Sequence, residues 1–135
     1  LTVNFTRRQV WESTFFDGIV DCTFNNFQAP KLKERLINCP LRRFRMKKCK
    51  DIKSLENQLN FNTLQRLEIE ECRDFNDVRG LGDIPYLMIS HCELLVSLEG
   101  LGKSRQKHVI ISSCPRIKSF HQLKDVRKVE IIACE

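Results

Sequence analysis

The sequence predicts a solenoid of stacked coils, each about 22 residues long and each giving one short strand to a parallel sheet. Three observations predict it. Cysteine recurs at Cys49, Cys72, Cys92, Cys114 and Cys134, at intervals of 23, 20, 22 and 20 residues. Each of these cysteines closes an apolar phrase of one form. Within the phrase, apolar residues alternate with polar ones at period two, as in a strand with one buried face. A single coil cannot bury that face, whereas stacked coils can.

The phrases run in order along the chain. Val3-x-Phe5 is a partial copy, with Arg8 where the cysteine belongs. Ile19-x-x-Cys22-x-Phe24-x-x-Phe27 is fuller, with Phe27 in the closing slot. Leu41-x-x-Phe44-x-Met46, Leu64-x-x-Leu67-x-Ile69 and Ile84-x-x-Leu87-x-Ile89 precede Cys49, Cys72 and Cys92. Before Cys114, Val109 and Ile111 keep the last two slots but Gln106 breaks the first. Val126-x-x-Val129-x-Ile131 precedes Cys134. Inward strand positions therefore recur at Phe5, Phe24, Met46, Ile69, Ile89, Ile111 and Ile131, at intervals of 19 to 23 residues. Leu67 and Ile69 are expected at the centre of the core.

Each phrase continues past its cysteine. Ile52, Phe75, Leu95 and Ile117 lie three residues on, and Leu55, Val78, Leu98 and Phe120 six. Leu59, Leu81, Leu101 and Leu123 follow at nine or ten. Apolar spacing of three suits 3-10 turns or one helical turn. Gly80-Leu81-Gly82 and Gly100-Leu101-Gly102 are expected to mark the bend back to the next strand.

This phrase and its tail resemble the leucine-rich repeat in its short form, over 41–135 closely and over 1–40 loosely. The resemblance implies an α/β fold: a right-handed leucine-rich repeat solenoid of six to seven coils. A parallel sheet would line its concave side and short 3-10 or helical turns its convex side. In that family the cysteine slot also satisfies backbone groups of the turn. The chain, at 135 residues, is expected to be one such domain, cut from a longer array at both ends.

Composition bounds the function. Hydrophobic residues make up 41% and charged residues 30%, the balance of a folded chain rather than a disordered one. No apolar run approaches the ~18 residues that span a bilayer, so no membrane partner is expected. The first twenty residues carry charges throughout, so no secretory leader is expected. The net charge of +6 is concentrated: Lys31 to Lys50 contain nine Lys or Arg and one Glu, leaving the rest at −2. Only Phe44 accompanies those cations, and it faces inward, so nucleic-acid binding is a distant expectation.

Candidate chemistry is thin. The cysteine intervals match no zinc pattern, which wants close pairs. His91 and Cys92 point to different sides of the chain, and with His108 and Cys114 make no metal site. A stacked column of buried, reduced thiols is expected, which implies an intracellular, cytoplasmic location. Gly102-Lys103-Ser104 echoes a phosphate loop, but Ser97 stands where the loop needs its first glycine. Asn4-Phe5-Thr6 is a glycosylation sequon without meaning inside the cell. No nucleophile, carboxylate pair, metal or cofactor site is expected, and no enzyme activity.

The open side of the sheet is where function is expected. If Leu67 and Ile69 point inward, Arg66, Glu68 and Glu70 point out. The equivalent triplets are Asp21-Thr23-Asn25, Arg43-Arg45-Lys47, Tyr86-Met88-Ser90, His108-Ile110-Ser112 and Lys128-Glu130-Ile132. Arg45 should lie beside Glu68 and Lys47 beside Glu70, as cross-strand ion pairs. Tyr86, Met88, Ile110 and Ile132 should form an apolar patch, a common mark of binding sites. The expected partner-binding set is Tyr86, Met88 and Ile110, flanked by Arg43, Arg45 and Lys47. A protein-interaction module is the first expectation. A structural part of a large assembly is the second, with further repeats or other subunits at the open ends of the stack.

Overall fold

The computed structural model describes residues 2–5, 18–26 and 32–134. Strands β1 (Thr2–Phe5), β2 (Asp21–Asn25), β3 (Arg43–Lys47), β4 (Arg66–Glu70), β5 (Tyr86–Ser90), β6 (His108–Ser112) and β7 (Lys128–Ile132) form one sheet in sequence order. Every neighbouring pair is parallel and in register, phrase against phrase: Phe24 lies beside Met46, Met46 beside Ile69, Ile69 beside Ile89. The chain is a parallel β-solenoid. Thr6, Arg8, Phe27 and Lys31 lie outside the described residues.

Helix is scarcer than an α/β class implies. Among the described residues it is confined to α1 (Leu32–Leu36) and a 3-10 turn, His121–Leu123. The cause lies five residues after each cysteine, at Ser54, Asp77 and Ser97. Ser54 Oγ accepts the amide of Glu56 at 3.1 Å, Asp77 Oδ1 that of Arg79 at 3.0 Å and Ser97 Oγ that of Glu99 at 3.1 Å. Such short side-chain-to-backbone turns compete with helix for the same amides. The next left-handed position falls on Asn57, Gly80 and Gly100, which ends any helical run. The return is instead a string of tight turns. Phe75, Leu95 and Ile117 donate to the carbonyls of Cys72, Cys92 and Cys114, and Leu81 and Leu101 to those of Val78 and Leu98.

The core is the inward column of every coil. Leu67 and Ile69 are fully buried, as are Leu87, Ile89, Val109 and Ile111 beside them. Towards β1 the column turns aromatic: Phe24 packs edge-on to Phe5 at 5.5 Å and to Phe44 at 5.0 Å. Gln106, the one buried polar residue among the described residues, is buried for a reason. Its Nε2 donates to the carbonyls of Leu81 (2.9 Å) and Ile84 (3.1 Å), and its Oε1 accepts the amide of Gly102 (2.9 Å). One side chain thereby ties two coils together. Gly82 marks another tie, since any Cβ there would collide with the carbonyl oxygen of Gly100 in the next coil.

Two inward positions depart from expectation. Ile131 is 42% exposed and Cys134 is only half-buried. Both belong to the last described coil, where β7 is an edge strand with no described neighbour to cover it.

Two stability predictions follow from this packing. Leu67→Ala should lower the unfolding free energy by ~2–5 kcal/mol, while Val96→Ala, exposed on the returning turn, should stay within ~0.5 kcal/mol of the parent in urea titrations. Gln106→Leu restores the repeat pattern, yet should still destabilise by ~1–3 kcal/mol because it orphans buried backbone groups. A more stable Gln106→Leu protein would refute the bridging role.

Candidate interaction surface

The register sorts the outward side chains into columns that cross the strands. The first runs Asp21, Arg43, Arg66, Tyr86, His108, Lys128. The second runs Thr23, Arg45, Glu68, Met88, Ile110, Glu130, and the third Asn25, Lys47, Glu70, Ser90, Ser112, Ile132. Parallel strands lie ~4.8 Å apart, so neighbours in a column are within side-chain contact.

The apolar set comes together in part. Met88 and Ile110 are direct partners in the second column, both half-buried, and Tyr86 adjoins Met88 along β5. Ile132 does not join them. It stands in the third column opposite Ser112, while Glu130 occupies the place beside Ile110. The basic set lies a strand further away than a continuous patch requires, because β4 intervenes between β3 and β5.

The ion pairs also differ from the simple one-to-one arrangement. Arg45 takes both carboxylates, with Nη2 3.0 Å from Glu70 and Nε 3.8 Å from Glu68. Arg45 is the longer fork and reaches the diagonal neighbour, so the pair lies between Arg45 and Glu70 rather than Lys47 and Glu70. Lys48 adds a loose contact to Glu71 at 4.0 Å. Arg66 donates to Glu68 at 3.1 Å while its guanidinium stacks over Tyr86, 4.1 Å from the ring centre. Tyr86 in turn meets His108 edge-on at 5.0 Å, and His108 Nε2 lies 2.8 Å from Glu130. A chain of contacts thus runs across four strands, from Glu68 through Arg66, Tyr86 and His108 to Glu130. Arg66 and His108 belong to the outward triplets but not to the expected partner-binding set. Their signal was present in the sequence: each is the first outward residue of its triplet.

A groove of about 430 Å³ lies elsewhere, at the strand exits, among Lys48, Lys50, Glu71, Arg73, His91 and Glu93. Its lining mixes both charges in the open, so it favours no single ligand chemistry.

Four of the five expected thiols form a buried column, and Cys134 at the last coil is half-buried. All seven cysteines are free; Cys49, Cys72, Cys92 and Cys114 are buried in successive coils, and His91 is exposed where Cys92 is not. The thiols of Cys49, Cys72, Cys92 and Cys114 each donate weakly to the carbonyl two residues earlier, that of Glu70 at 3.4 Å for Cys72 and of Ser112 at 3.4 Å for Cys114. Cys49 also reaches the carbonyl of Phe24 in the preceding coil, at 3.8 Å. Contact with Cys49 and burial push the Cys72 thiol well above its ordinary range. Burial pushes Cys92 up to about 12 from an ordinary 9.0. Among the described residues no three His, Cys, Asp or Glu side chains converge as metal ligands, and no helix is long and apolar enough to cross a membrane.

Comparison with known proteins gives no matching family model, no matching curated relative and no matching solved structure.

The raised thiol values carry a pH dependence. A folded-state pKa above the unfolded one means that the folded chain holds its protons longer. Stability is then intact below about pH 9 and falls as pH rises towards about 12, the span set by Cys92. Urea midpoints should drop over that interval, and a Cys72→Ala, Cys92→Ala double variant should show a shallower slope. An equal slope in parent and variant would show that the thiols are not the titrating groups.

Proposed function

We propose that the chain is a non-enzymatic protein-interaction module of the leucine-rich repeat kind, which presents the open face of its sheet as a concave binding surface. The observation that carries the reading is the juxtaposition of Tyr86, Met88 and Ile110, half-exposed on strands whose other faces are fully buried. Half-exposed apolar side chains on a rigid frame lose little freedom on binding, which favours affinity. The repeat period and the thiol closing each strand support the family assignment. The sparse helix fits a short-repeat form in which tight turns replace helices on the convex side. Free, buried thiols support an intracellular location.

The roles divide by chemistry. Tyr86, Met88 and Ile110 would supply most of the binding energy once desolvated. Arg43 would speed encounter and orientation, an effect that fades with salt. Arg45 and Lys47 contribute less, since Arg45 is committed to Glu68 and Glu70 and Lys47 is half-buried.

The test is site-specific photocrosslinking in the full-length protein. A crosslinker at Met88 or Ile110 should trap a protein partner, and one at Lys118, exposed on the returning turns, should not. With the partner in hand, Met88→Ala should raise the dissociation rate about tenfold, the equivalent of ~1.4 kcal/mol. Arg43→Ala should mainly slow association at low salt. Crosslinks confined to Lys118, or a dissociation rate unchanged by Met88→Ala, would sink the reading.

A further inference from the structure

The first outward column and the residues just before it line one edge of the sheet. Arg42 and Arg43 stand at the entry to β3, Arg66 at β4, Lys107 and His108 at β6, and Arg127 and Lys128 at β7. All are exposed except His108, which is half-buried. Arg66 and His108 are engaged with Glu68 and Glu130. Arg42, Arg43, Lys107, Arg127 and Lys128 have no carboxylate at ion-pair distance among the described residues. From β3 to β7 the edge is therefore a row of cations, free at Arg42, Arg43, Lys107, Arg127 and Lys128, compensated at Arg66 and His108, interrupted by Tyr86 and preceded on β2 by Asp21. One column deeper the chemistry changes to Glu68, Met88, Ile110, Glu130.

We propose that this edge binds an extended acidic polypeptide segment of the partner, with carboxylates on the cation row and apolar side chains on Met88 and Ile110. This deepens the interaction-module reading and rests on it. Charge complementarity requires an anionic chain. Two features select a polypeptide over a nucleic acid. The Tyr86 ring is capped by Arg66 and met edge-on by His108, so it offers no open face for a base. Glu68 and Glu130 bracket Met88 and Ile110 in the second column, where they repel phosphates but leave the apolar pair open to an apolar side chain. From Arg43 to Lys128 there are four strand spacings of ~4.8 Å, or about 19 Å, the reach of roughly six extended residues at ~3.3 Å each.

The experiment titrates the full-length protein with a fluorescent peptide of about twelve residues, twice that footprint, made of glutamate with leucine at every third position. The Arg43→Gln, Arg127→Gln, Lys128→Gln triple variant should bind it more than ~10-fold more weakly at low salt, and the difference should shrink at ~1 M salt, where screening acts within ~3 Å. Lys118→Gln should bind as the parent does. Met88→Ala should weaken binding several-fold at every salt concentration. If the triple variant binds as the parent does while Met88→Ala weakens binding, the acidic-segment proposal is overturned and the apolar surface stands. If only the triple variant weakens binding, the apolar surface fails and the edge is a plain polyanion site, which overturns both. A single-stranded oligonucleotide of equal charge that binds more tightly than the peptide would also overturn the proposal.

Discussion

Beyond the last residue of each strand from β2 to β6, one more amide reaches across to the neighbouring coil. Asn26, Lys48, Glu71, His91 and Ser113 donate their N–H to the carbonyls of Lys47, Glu70, Ser90, Ser112 and Ile132, at 2.8 to 3.0 Å. To do so the chain turns left-handed at each of them, and at Ala133, with φ between 51° and 55°. None of these six residues is glycine. A non-glycine residue in this region costs of order 1 kcal/mol and persists only where the surroundings enforce it. The enforcement is visible on both sides of the residue. At Lys48, Glu71, His91 and Ser113 the N–H completes the ladder, and the cysteine that follows drops its thiol inward against the carbonyl at the strand's end. The thiol is small and apolar enough to be buried where the coil turns. The cysteine interval is the imprint of this exit, repeated coil by coil.

The same exit keeps the strands in step, and the surface follows from the step. A slip of one residue in any coil would turn its inward column outwards. Because no coil slips, side chains distant in sequence meet in fixed columns. Arg66, Tyr86 and His108 come from three coils, yet they stack as a continuous set. Exposed pairs such as Arg45 with Glu70 add little stability by themselves. They do fix which cations are neutralised on the face and which, like Arg43 and Lys128, remain available at its edge.

Strand positions, inward residues and the thiol column were legible in the sequence because period two and period 22 leave little freedom once they coincide. Gln106 looked like a defect in the pattern; only the coil before it, with the carbonyls of Leu81 and Ile84, reveals it as a bridge. The returning turns were legible as short but not as non-helical. The signal lay in Ser54, Asp77 and Ser97, whose capping bonds become recognisable once the cysteines align them. The outward residues were readable as triplets within each strand. Arg45 reaching diagonally to Glu70, and Glu130 rather than Ile132 beside Ile110, depend on side-chain reach and on columns across strands, which a strand-by-strand reading passes over.

The strand exit is the feature on which the stacking account rests, and amide hydrogen exchange reads it directly. The amides of Lys48, Glu71 and His91 belong to exposed side chains or partly exposed ones just past the ends of strands, where fraying would ordinarily be expected. If their hydrogen bonds hold the coils in register, they should exchange as slowly as the core amides of Ile69 and Ile89, through the same global opening. Exchange at the rate of an unstructured peptide at Lys48, Glu71 and His91, with Ile69 and Ile89 still protected, would contradict the account.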